Sequence, residues 1–267
     1  MVLRRTKIVA TLGPAVDDKA ILAEMLRAGV DCVRLNMSHG TMAEQTARIE
    51  NVRSCSLALK KEIGIIIDLQ GPKIRIKKFK QGFALLKIGQ TFTLDTQHPE
   101  ADGDDTIVGV GYPSLAQDVQ VGDTLLLDDG LFVLGVQKIE GTRVICEVKL
   151  GGRLTDHKGL NRLGGGLTAE TLTEKDKADI QFAAQNQADY IALSFVRSAH
   201  DVDEARALFQ QAGGTGGVIA KIERAEASTN IDAIIKASNA VMVARGDLGV
   251  ELGFAELPSV QKHIIAR

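Results

Sequence analysis

The chain has 267 residues, of which 45% are hydrophobic and 25% are charged, as is typical of a soluble globular protein with one large domain or two smaller ones. The net charge of -2 and the pI of about 6.2 argue against general binding to nucleic acid or to an anionic membrane, so any anion site must come from a local arrangement. No stretch is long and apolar enough to span a membrane.

The cysteines and the N-terminus indicate a cytoplasmic protein. Cys32, Cys55 and Cys146 are an odd number and lack the spacing of metal ligands, which predicts reduced thiols. The first apolar run is short and ends at Gly13-Pro14, so we interpret it as a strand rather than a signal peptide.

Apolar strands alternate with helices in the first part of the chain. The predicted elements are a strand at residues 7–12, a helix at 17–28, a strand at 32–35, a helix at 41–61 and a strand at 63–68. Strands that are almost purely apolar and separated by helices predict a parallel sheet that is covered on both faces.

The alternation stops after Gly71-Pro72. From residue 73 to about 150, short segments with β-type alternation, such as 123–127 and 143–148, are separated by glycines. This pattern predicts an inserted small β-barrel domain at residues 73–166. The glycine-rich end of the insertion, residues 151–166, is interpreted as the hinge that leads back to the first domain.

The first pattern then resumes with a helix that begins at the capping residue Thr173. The elements predicted after it are a strand at 190–195, a helix at 201–212, a strand at Val218, a helix at 232–237, a strand at 240–244 and a final helix from about 255. About six strand and helix units predict a (β/α)8 TIM barrel formed by residues 1–72 and 167–267. Because the chain stops inside its last helix, we expect this barrel to be truncated before its last strands.

Charged residues follow two of the predicted barrel strands, at the position where barrel enzymes place catalytic groups. In residues 218–223 and 241–251, apolar strands run directly into charged residues. Lys221 and Glu223 are one residue apart and therefore face the same side of a strand end. With Asp247 in an Arg-Gly-Asp turn, they predict a site that contains one lysine and two acids.

Two interpretations of the acids are open. Glu223 and Asp247 suit a hard divalent cation, Mg²⁺ or Mn²⁺, which prefers oxygen ligands. Alternatively, both carboxylates form ion pairs with Arg245 and Lys221, since buried acids need partners of some kind.

Further cations predict that the site binds a phosphorylated substrate. Lys221 beside a metal stabilises charge on a transferring phosphoryl group or on an enolate oxygen. Arg34, Arg75 and Lys158 are able to grip phosphate oxygens. The backbone N–H groups around Gly246 and Asp247, at the start of a helical segment, suit a substrate carboxylate.

Nine motifs make the chain resemble the pyruvate kinase family from its first strand to its end. They are TKIVATLGP (6–14), RLNMSHG (34–40), DLQGPKIR (68–75), LLLDDG (125–130), KGLN (158–161), LTEKDKAD (172–179), SFVR (194–197), AKIERAE (220–226) and MVARGDLGVE (242–251). The resemblance implies a barrel that is interrupted after its third strand by a β-domain. It also implies a glycolytic kinase that transfers the phosphoryl group of phosphoenolpyruvate to ADP, giving ATP and pyruvate.

The resemblance also implies roles for single residues. Glu223 and Asp247 match ligands of the divalent cation, Lys221 matches the lysine on the transferring phosphoryl group, and the backbone of Gly246 and Asp247 matches the substrate-carboxylate site. Arg34 and Arg75 match catalytic, phosphate-binding arginines. The implied nucleotide-binding set is Pro14, Arg34, Asn36, His39, Lys158 and, on the closing lid, Asp129.

One departure concerns potassium. Many relatives bind potassium partly through the residues that match Asn36, Ser38 and Asp68, and carry Thr-Lys-Gly-Pro-Glu where this chain has residues 69–73, Leu-Gln-Gly-Pro-Lys. The ammonium group of Lys73 supplies a positive charge of the kind that the monovalent ion supplies elsewhere. We therefore count Lys73 among the catalytic residues and expect that K⁺ is not required.

The second departure is the ending at Arg267, before the strand that carries a catalytic threonine in relatives and before the C-terminal domain. We expect little turnover from this segment alone, and a homotetrameric parent enzyme. Two alternatives are a catalytically impaired phosphoenolpyruvate-binding fragment and a metal-dependent aldolase or lyase that acts on pyruvate-like enolates. The inserted lid and Lys158 argue against the lyase, because a lyase has no second nucleotide to cover.

Overall fold

A computed structural model of the chain describes residues 4–267 as an α/β protein with two compact units. The first unit contains the described residues up to Gly71, together with Thr171–Lys221 and Asp232–Met242. The second unit contains Pro72–Glu170, Ile222–Ile231 and Val243–Arg267. Within residues 4–267, no helix is both long enough and apolar enough to cross a membrane.

The strands and helices follow the predicted order. The strands are β1 (Val9–Thr11), β2 (Cys32–Asn36), β3 (Gly64–Asp68), β4 (Phe83–Leu86), β5 (Thr91–Asp95), β6 (Ile107–Gly109), β7 (Thr124–Leu127), β8 (Phe132–Glu140), β9 (Arg143–Leu150), β10 (Gly152–Thr155), β11 (Leu160–Arg162), β12 (Tyr190–Leu193), β13 (Gly217–Ile222) and β14 (Ala240–Val243). The α-helices are α1 (Lys19–Ala28), α2 (Met42–Leu59), α3 (Leu115–Asp118), α4 (Glu174–Gln185), α5 (Ala199–Gln211), α6 (Ala225–Thr229), α7 (Ile231–Ala237), α8 (Arg245–Leu252) and α9 (Leu257–Ala266).

Six strands form one sheet in the order β1-β2-β3-β12-β13-β14. The pairs from β1 to β13 are parallel, and this sequential order is that of a (β/α) barrel. The strand interiors are buried and apolar, as in β3, where Ile65, Ile66 and Ile67 are all buried. The truncated TIM-barrel prediction is therefore confirmed, and the C-terminal ends of these strands lie at one edge.

The segment that interrupts the sheet is a β-structure, as predicted. It contains a six-stranded sheet in the order β11-β7-β8-β9-β5-β6 and a two-stranded sheet of β10 and β4. Its strands pair antiparallel to one another, except β5 and β6, which are parallel. Side chains that alternate along these strands, among them Phe92, Leu94 and Leu134, form its apolar core.

Local capping signals explain where the helices begin. Thr41 and Glu44 form a reciprocal capping box at the start of α2, and Thr173 and Asp176 form one at the start of α4. The helix predicted at 17–28 begins two residues later, because the Asp18 side chain accepts the Ala20 and Ile21 N–H groups and acts as the N-cap.

The interpretation of residues 151–166 as a hinge is wrong for most of that segment. It contains β10 and β11, which pair with β4 and β7. Buried Leu154 and Leu160 explain the difference, because the glycines around them concealed two short strands with apolar inward positions. The turn at residues 164–166 follows β11, and all three of its glycines have positive φ.

The helical segment expected at Gly246 and Asp247 is α8, whose first turn contains the Arg-Gly-Asp sequence. Two other short helices, α3 and α6, were not predicted. They are only four and five residues long, which is too short for a clear helical period.

Candidate active site

A buried ionic cluster lies at the ends of barrel strands. Asp68 ends β3, and its side chain is only 1% exposed. Arg34, on β2, donates from Nε to Asp68 Oδ2 at 2.6 Å, while Lys221 Nζ, on β13, lies 3.2 Å from Asp68 Oδ1. We call these three residues the strand-end cluster. One carboxylate faces two cations, so the cluster carries an excess positive charge and suits an anionic ligand.

Neutral partners orient the two cations. Lys221 Nζ donates to Ser194 Oγ at 2.7 Å, and Ser194 Oγ donates to the Leu69 carbonyl at 2.7 Å. Arg34 Nη1 donates to Thr11 Oγ1 at 2.9 Å. Because these bonds come from the strand ends, the strand-end cluster is built on rigid elements.

Gly71 permits the close approach of the chain that follows β3. Its φ is +67°, and a Cβ placed there would lie 2.8 Å from the Ser194 Cβ. Its N–H donates to Asp176 Oδ1 at 2.9 Å, so the capping box of α4 also holds this segment. Glycine is therefore required here both for backbone conformation and for space beside Ser194.

A second ionic cluster contains Lys73, Asp129 and Asp247, and we call it the lysine 73 cluster. Lys73 Nζ lies 3.2 Å from Asp247 Oδ1 and 3.8 Å from Asp129 Oδ1. The Asp129 side chain is 65% exposed, so this cluster is far more accessible than the strand-end cluster. The predicted ion pairing of Asp247 is present among the described residues, but the cation is Lys73 rather than Arg245.

The turn between β7 and β8 carries two acids in unusual backbone conformations. Asp128 and Asp129 have φ of +50° and +55°, and Gly130 follows with +90°. Lys158 Nζ lies 3.0 Å from Asp128 Oδ1, so the turn is tied to the segment before β11. Non-glycine residues with positive φ are uncommon and cluster at functional sites.

Glu223 and Asp247 lie on neighbouring segments of the second unit. The Ala244 N–H donates to the Ile222 carbonyl at 3.2 Å, joining the residue before Glu223 to the start of α8. Glu223 is only 2% exposed. In the part of the chain that the structure describes, no group of three or more His, Cys, Asp or Glu side chains has the arrangement of a metal site. Two carboxylates nevertheless fit Mg²⁺, which typically takes one or two protein carboxylates and fills its other positions with water and substrate oxygens.

The N-terminus of α8 is open. Ala244 occupies the N-cap position and provides no side-chain cap for the first-turn N–H groups. A Cβ at Gly246 would meet no atom within 4 Å. Uncapped N–H groups beside open space suit a carboxylate or phosphate oxygen.

The other predicted residues lie outside the two ionic clusters, and most of them are exposed. Pro14 is exposed at the first position of a short 3₁₀ helix (Pro14–Val16), and His39 is exposed in the turn that follows β2. Arg75 is exposed and donates to the His157 carbonyl at 2.8 Å. The Asn36 Oδ1 atom accepts the Ser38 N–H at 3.0 Å, an interaction within that turn.

Sequence reasoning missed three residues that the structure places in these ionic networks. Asp128, Arg224 and Glu251 each lie inside a recognised motif but received no role. Asp128 pairs with Lys158, and Arg224 with Glu251. A usable signal existed for Glu251, which is four residues after Asp247 and therefore on the same face of α8.

The fold and the clusters define a barrel protein with an inserted β-structure and a cationic strand-end site. Residues 3–267 match the family model described as pyruvate kinase, barrel domain. The chain belongs to the pyruvate kinase family.

Individual relatives agree with this assignment. The chain is 50% identical to a pyruvate kinase of Haemophilus influenzae, in an alignment that covers 99% of this chain and 56% of the relative. It is also 50% identical to pyruvate kinase II of Salmonella typhimurium, with the same coverage. A crystal structure of a pyruvate kinase from Cryptosporidium parvum superposes with a TM-score of 0.94 at 31% identity, covering 98% of this chain and 55% of that chain. The chain thus spans about half the length of the relatives it matches.

Proposed function

We propose that this chain contributes the phosphoryl-transfer site of a pyruvate kinase, which moves the phosphoryl group of phosphoenolpyruvate to ADP and yields ATP and pyruvate. The observation that carries the proposal is the strand-end cluster, in which Arg34 and Lys221 both face the buried carboxylate of Asp68. Two cations held in fixed positions at the strand ends favour a ligand whose negative charge is greatest on its phosphoryl oxygens.

In this proposal the two cations have different tasks. Lys221 is fixed by Ser194 and stabilises the charge that develops on the transferring phosphoryl group. Arg34 presents a planar guanidinium whose remaining donors grip phosphate oxygens. Arg75 is a further phosphate-binding arginine. The open N–H groups at Gly246 and Asp247 hold the substrate carboxylate.

Glu223 and Asp247 are the proposed ligands of Mg²⁺ or Mn²⁺. When bound, the cation neutralises phosphate charge and holds the phosphoryl oxygens in position. The protein orients these two carboxylates and keeps Glu223 away from bulk water, because its side chain is almost fully buried.

We propose that residues 73–166 act as a lid over the nucleotide, with residues 1–72 and 167–267 forming the barrel domain. Lys158 and Asp129 are the lid residues assigned to the nucleotide, together with Pro14, Arg34, Asn36 and His39 from the barrel. The exposed side chain of Asp129 supports this role, because a lid residue must remain accessible until closure.

The proposal includes activity without potassium. Lys73 places an ammonium group 3.2 Å from Asp247. This fixed positive charge repels a K⁺ ion and makes K⁺ binding beside it unfavourable. The matched oxygens of Asp68 already face Arg34 and Lys221.

The expected setting follows from the reaction. We propose a cytoplasmic enzyme of glycolysis that works as a homotetramer when the rest of its length is present. The three cysteines are free thiols in the structure, which agrees with a reducing compartment.

The first test compares Lys221→Met with Lys236→Met, an exposed lysine of α7. ATP formation from phosphoenolpyruvate and ADP with Mg²⁺ is measured in a coupled assay, and phosphoenolpyruvate binding by calorimetry. In the protein at its full length, we expect K221M to lower kcat by at least about 100-fold, and K236M to leave it unchanged. Phosphoenolpyruvate binding without ATP formation in the parent chain would instead assign an impaired binding fragment, and release of pyruvate from an aldol substrate would assign a lyase.

The second test concerns potassium. Turnover of the protein is measured in tetramethylammonium buffer with and without K⁺, for the parent and for Lys73→Glu. We expect the parent to be indifferent to K⁺ and K73E to require it, since the variant exchanges the ammonium group for a carboxylate. A large rise in parent activity on adding K⁺ contradicts this part of the proposal.

A further inference from the structure

Glu251 is a buried carboxylate one helical turn after Asp247. It is 1% exposed, and its position four residues along α8 places it on the same face as Asp247. Its Oε2 accepts the Ala225 N–H at 2.9 Å, and its Oε1 lies 3.5 Å from Arg224 Nη1. Arg224 directly follows Glu223. One side chain therefore connects the segments that carry both proposed metal ligands.

The same network holds the segment that leaves the inserted β-structure. The Glu251 carbonyl accepts the Gly164 N–H at 2.8 Å, and Asn161 Nδ2 lies 3.5 Å from Glu251 Oε1. Arg224 donates from Nη2 to the Leu167 carbonyl. These bonds fix residues 161–167 against the start of α6 and the end of α8.

Two glycines shape the turn within this segment. A Cβ at Gly165 would lie 2.8 Å from Glu226 Oε1, and one at Gly166 would lie 2.2 Å from Arg162 Nη1. Both glycines have positive φ, and the Gly166 N–H donates to Glu226 Oε1. The return segment thus has a specific conformation at this point, although its composition suggests flexibility.

We propose that Glu251 is a positioning residue for the metal site, which holds Glu223 and Asp247 in fixed relation and ties both to residues 161–167. This inference rests on the proposed function, because it takes Glu223 and Asp247 as the metal ligands. Glu251 itself touches neither substrate nor metal and acts through Arg224, Ala225 and the α8 backbone.

The energetics of burial support a functional reason for Glu251. Burial raises the pKa of this carboxyl, while Arg224 and the Ala225 N–H act in the opposite direction. A buried ion pair is weak evidence for stability, since apolar residues of similar size often serve a core as well or better. Some residues do not bind the metal but orient the residues that do. Mutation of such a residue typically weakens metal binding by 10- to 100-fold.

The test uses Mn²⁺ alone as the probe of the chain and compares Glu251→Gln with Glu256→Gln. Glu256 is exposed and makes no side-chain cap at the start of α9, so its variant removes the same charge from the same region. Mn²⁺ affinity is measured by calorimetry. The hydrogen-exchange rate of the Ala225 N–H is measured as well. We expect E251Q to weaken Mn²⁺ binding about 10-fold or more and to speed Ala225 exchange, whereas E256Q changes neither.

The outcomes separate this inference from the proposed function. Glu223→Gln and Asp247→Asn are titrated in parallel, and unchanged Mn²⁺ binding in both overturns the proposed metal site. If those variants lose Mn²⁺ but E251Q binds it within twofold of the parent, the positioning role is wrong. A lower melting temperature with unchanged Mn²⁺ affinity assigns Glu251 a structural role only.

A second variant keeps the inference testable if E251Q does not fold. Arg224→Lys retains the positive charge but lacks the planar fork that reaches both Glu251 and the Leu167 carbonyl. We expect it to weaken Mn²⁺ binding in the same direction by a smaller factor. Mn²⁺ affinity equal to that of the parent in a folded R224K protein overturns the role of the network.

Discussion

The strand-end cluster and the lysine 73 cluster use the same chemistry in opposite environments. In the first, Asp68 is 1% exposed and both its oxygens face cations that come from parallel strands. In the second, Asp129 is 65% exposed and lies on a turn of the inserted β-structure. The first arrangement is set before any ligand arrives, whereas the second leaves its acids accessible.

The difference shows how one chain combines a rigid site with an adjustable one. Parallel strands end at a common edge and hold the side chains of the strand-end cluster in fixed geometry. A hairpin turn with three residues at positive φ, Asp128 to Gly130, depends on fewer neighbours. The rigid strand-end cluster suits charges that stabilise a transferring phosphoryl group. The more accessible lysine 73 cluster suits contact with a nucleotide that enters and leaves.

The largest expected effect tests whether the inserted β-structure has a packed core of its own. Phe92 on β5 is fully buried, so Phe92→Ala should lower the free energy of unfolding by about 4 kcal/mol. Leu85→Ala, on exposed β4 surface, should change it by less than about 0.5 kcal/mol. Urea unfolding followed by circular dichroism measures both, and hydrogen exchange shows whether the loss is confined to β5 and its neighbours. Equal effects of the two variants would mean that this core is loosely packed.

The second prediction compares the two clusters directly. Asp68→Asn removes the buried negative charge that Arg34 and Lys221 both face and should cost about 3 kcal/mol of unfolding free energy. Lys73→Met removes a partly exposed ion pair with Asp247 and should cost below about 1 kcal/mol. Urea titrations of both variants at pH 7 give the values. Similar costs for the two would contradict the contrast between a rigid and an adjustable site.

The third prediction uses pH to probe the inserted β-structure. Burial by itself raises the pKa of Asp95, but bonds from the Gln97 N–H, Thr142 Oγ1 and Arg143 Nε bring it below its ordinary value. A lowered folded pKa contributes stability above the unfolded value of about 3.9, and this contribution is lost as pH falls through the folded pKa. Asp95→Asn should cost about 1–2 kcal/mol at pH 7.

That cost should shrink as the pH is lowered below about 4, because the parent loses the same interaction on protonation. Thermal unfolding of both proteins from pH 3 to pH 7 measures the difference. A constant difference across this range would show that the carboxylate charge is irrelevant and that only shape matters at this position.

The smallest effect concerns a thiol in each region. Burial raises the pKa of Cys32 on β2 to about 11 and of Cys146 on β9 to about 12. At pH 8 the thiolate fraction of both is therefore very small, and alkylation by iodoacetamide should be at least about 100-fold slower than for an ordinary thiol. Peptide mass spectrometry after timed labelling measures each rate. Rapid labelling of Cys146 alone would show that the inserted β-structure opens more readily than the parallel sheet.

Much of the fold was predictable because its signals are local. The capping boxes at Thr41 and Thr173 and the apolar strand at residues 64–68 each depend on residues close together in the chain. The hinge prediction for residues 151–166 failed because glycine frequency outweighed the two apolar positions, Leu154 and Leu160, that mark strands there. Tertiary pairing with β4 and β7 stabilises those strands, and no local pattern contains that information.

The residues of the candidate site were predictable from the sequence, but the ion pairs that they form with one another were not. Motif and strand-end position identified Arg34, Asp68 and Lys221, yet Asp68 was assigned only to a monovalent ion. The partner of Asp247 is Lys73, which lies 174 positions away in the chain. Glu251 received no role because nothing in its neighbourhood along the chain shows that it reaches Ala225 and Arg224.

The amino-acid sequence by itself determined the alternation of parallel strands and helices, the point of interruption and the end of each strand that carries the polar groups. These features follow from side-chain period and chain direction, which act over a few residues. Only the tertiary structure decided which cation faces which carboxylate and how deeply each pair is buried. The energy of an ion pair depends on distance and surroundings, and for residues remote in the chain both are set by the packing of whole strands and helices.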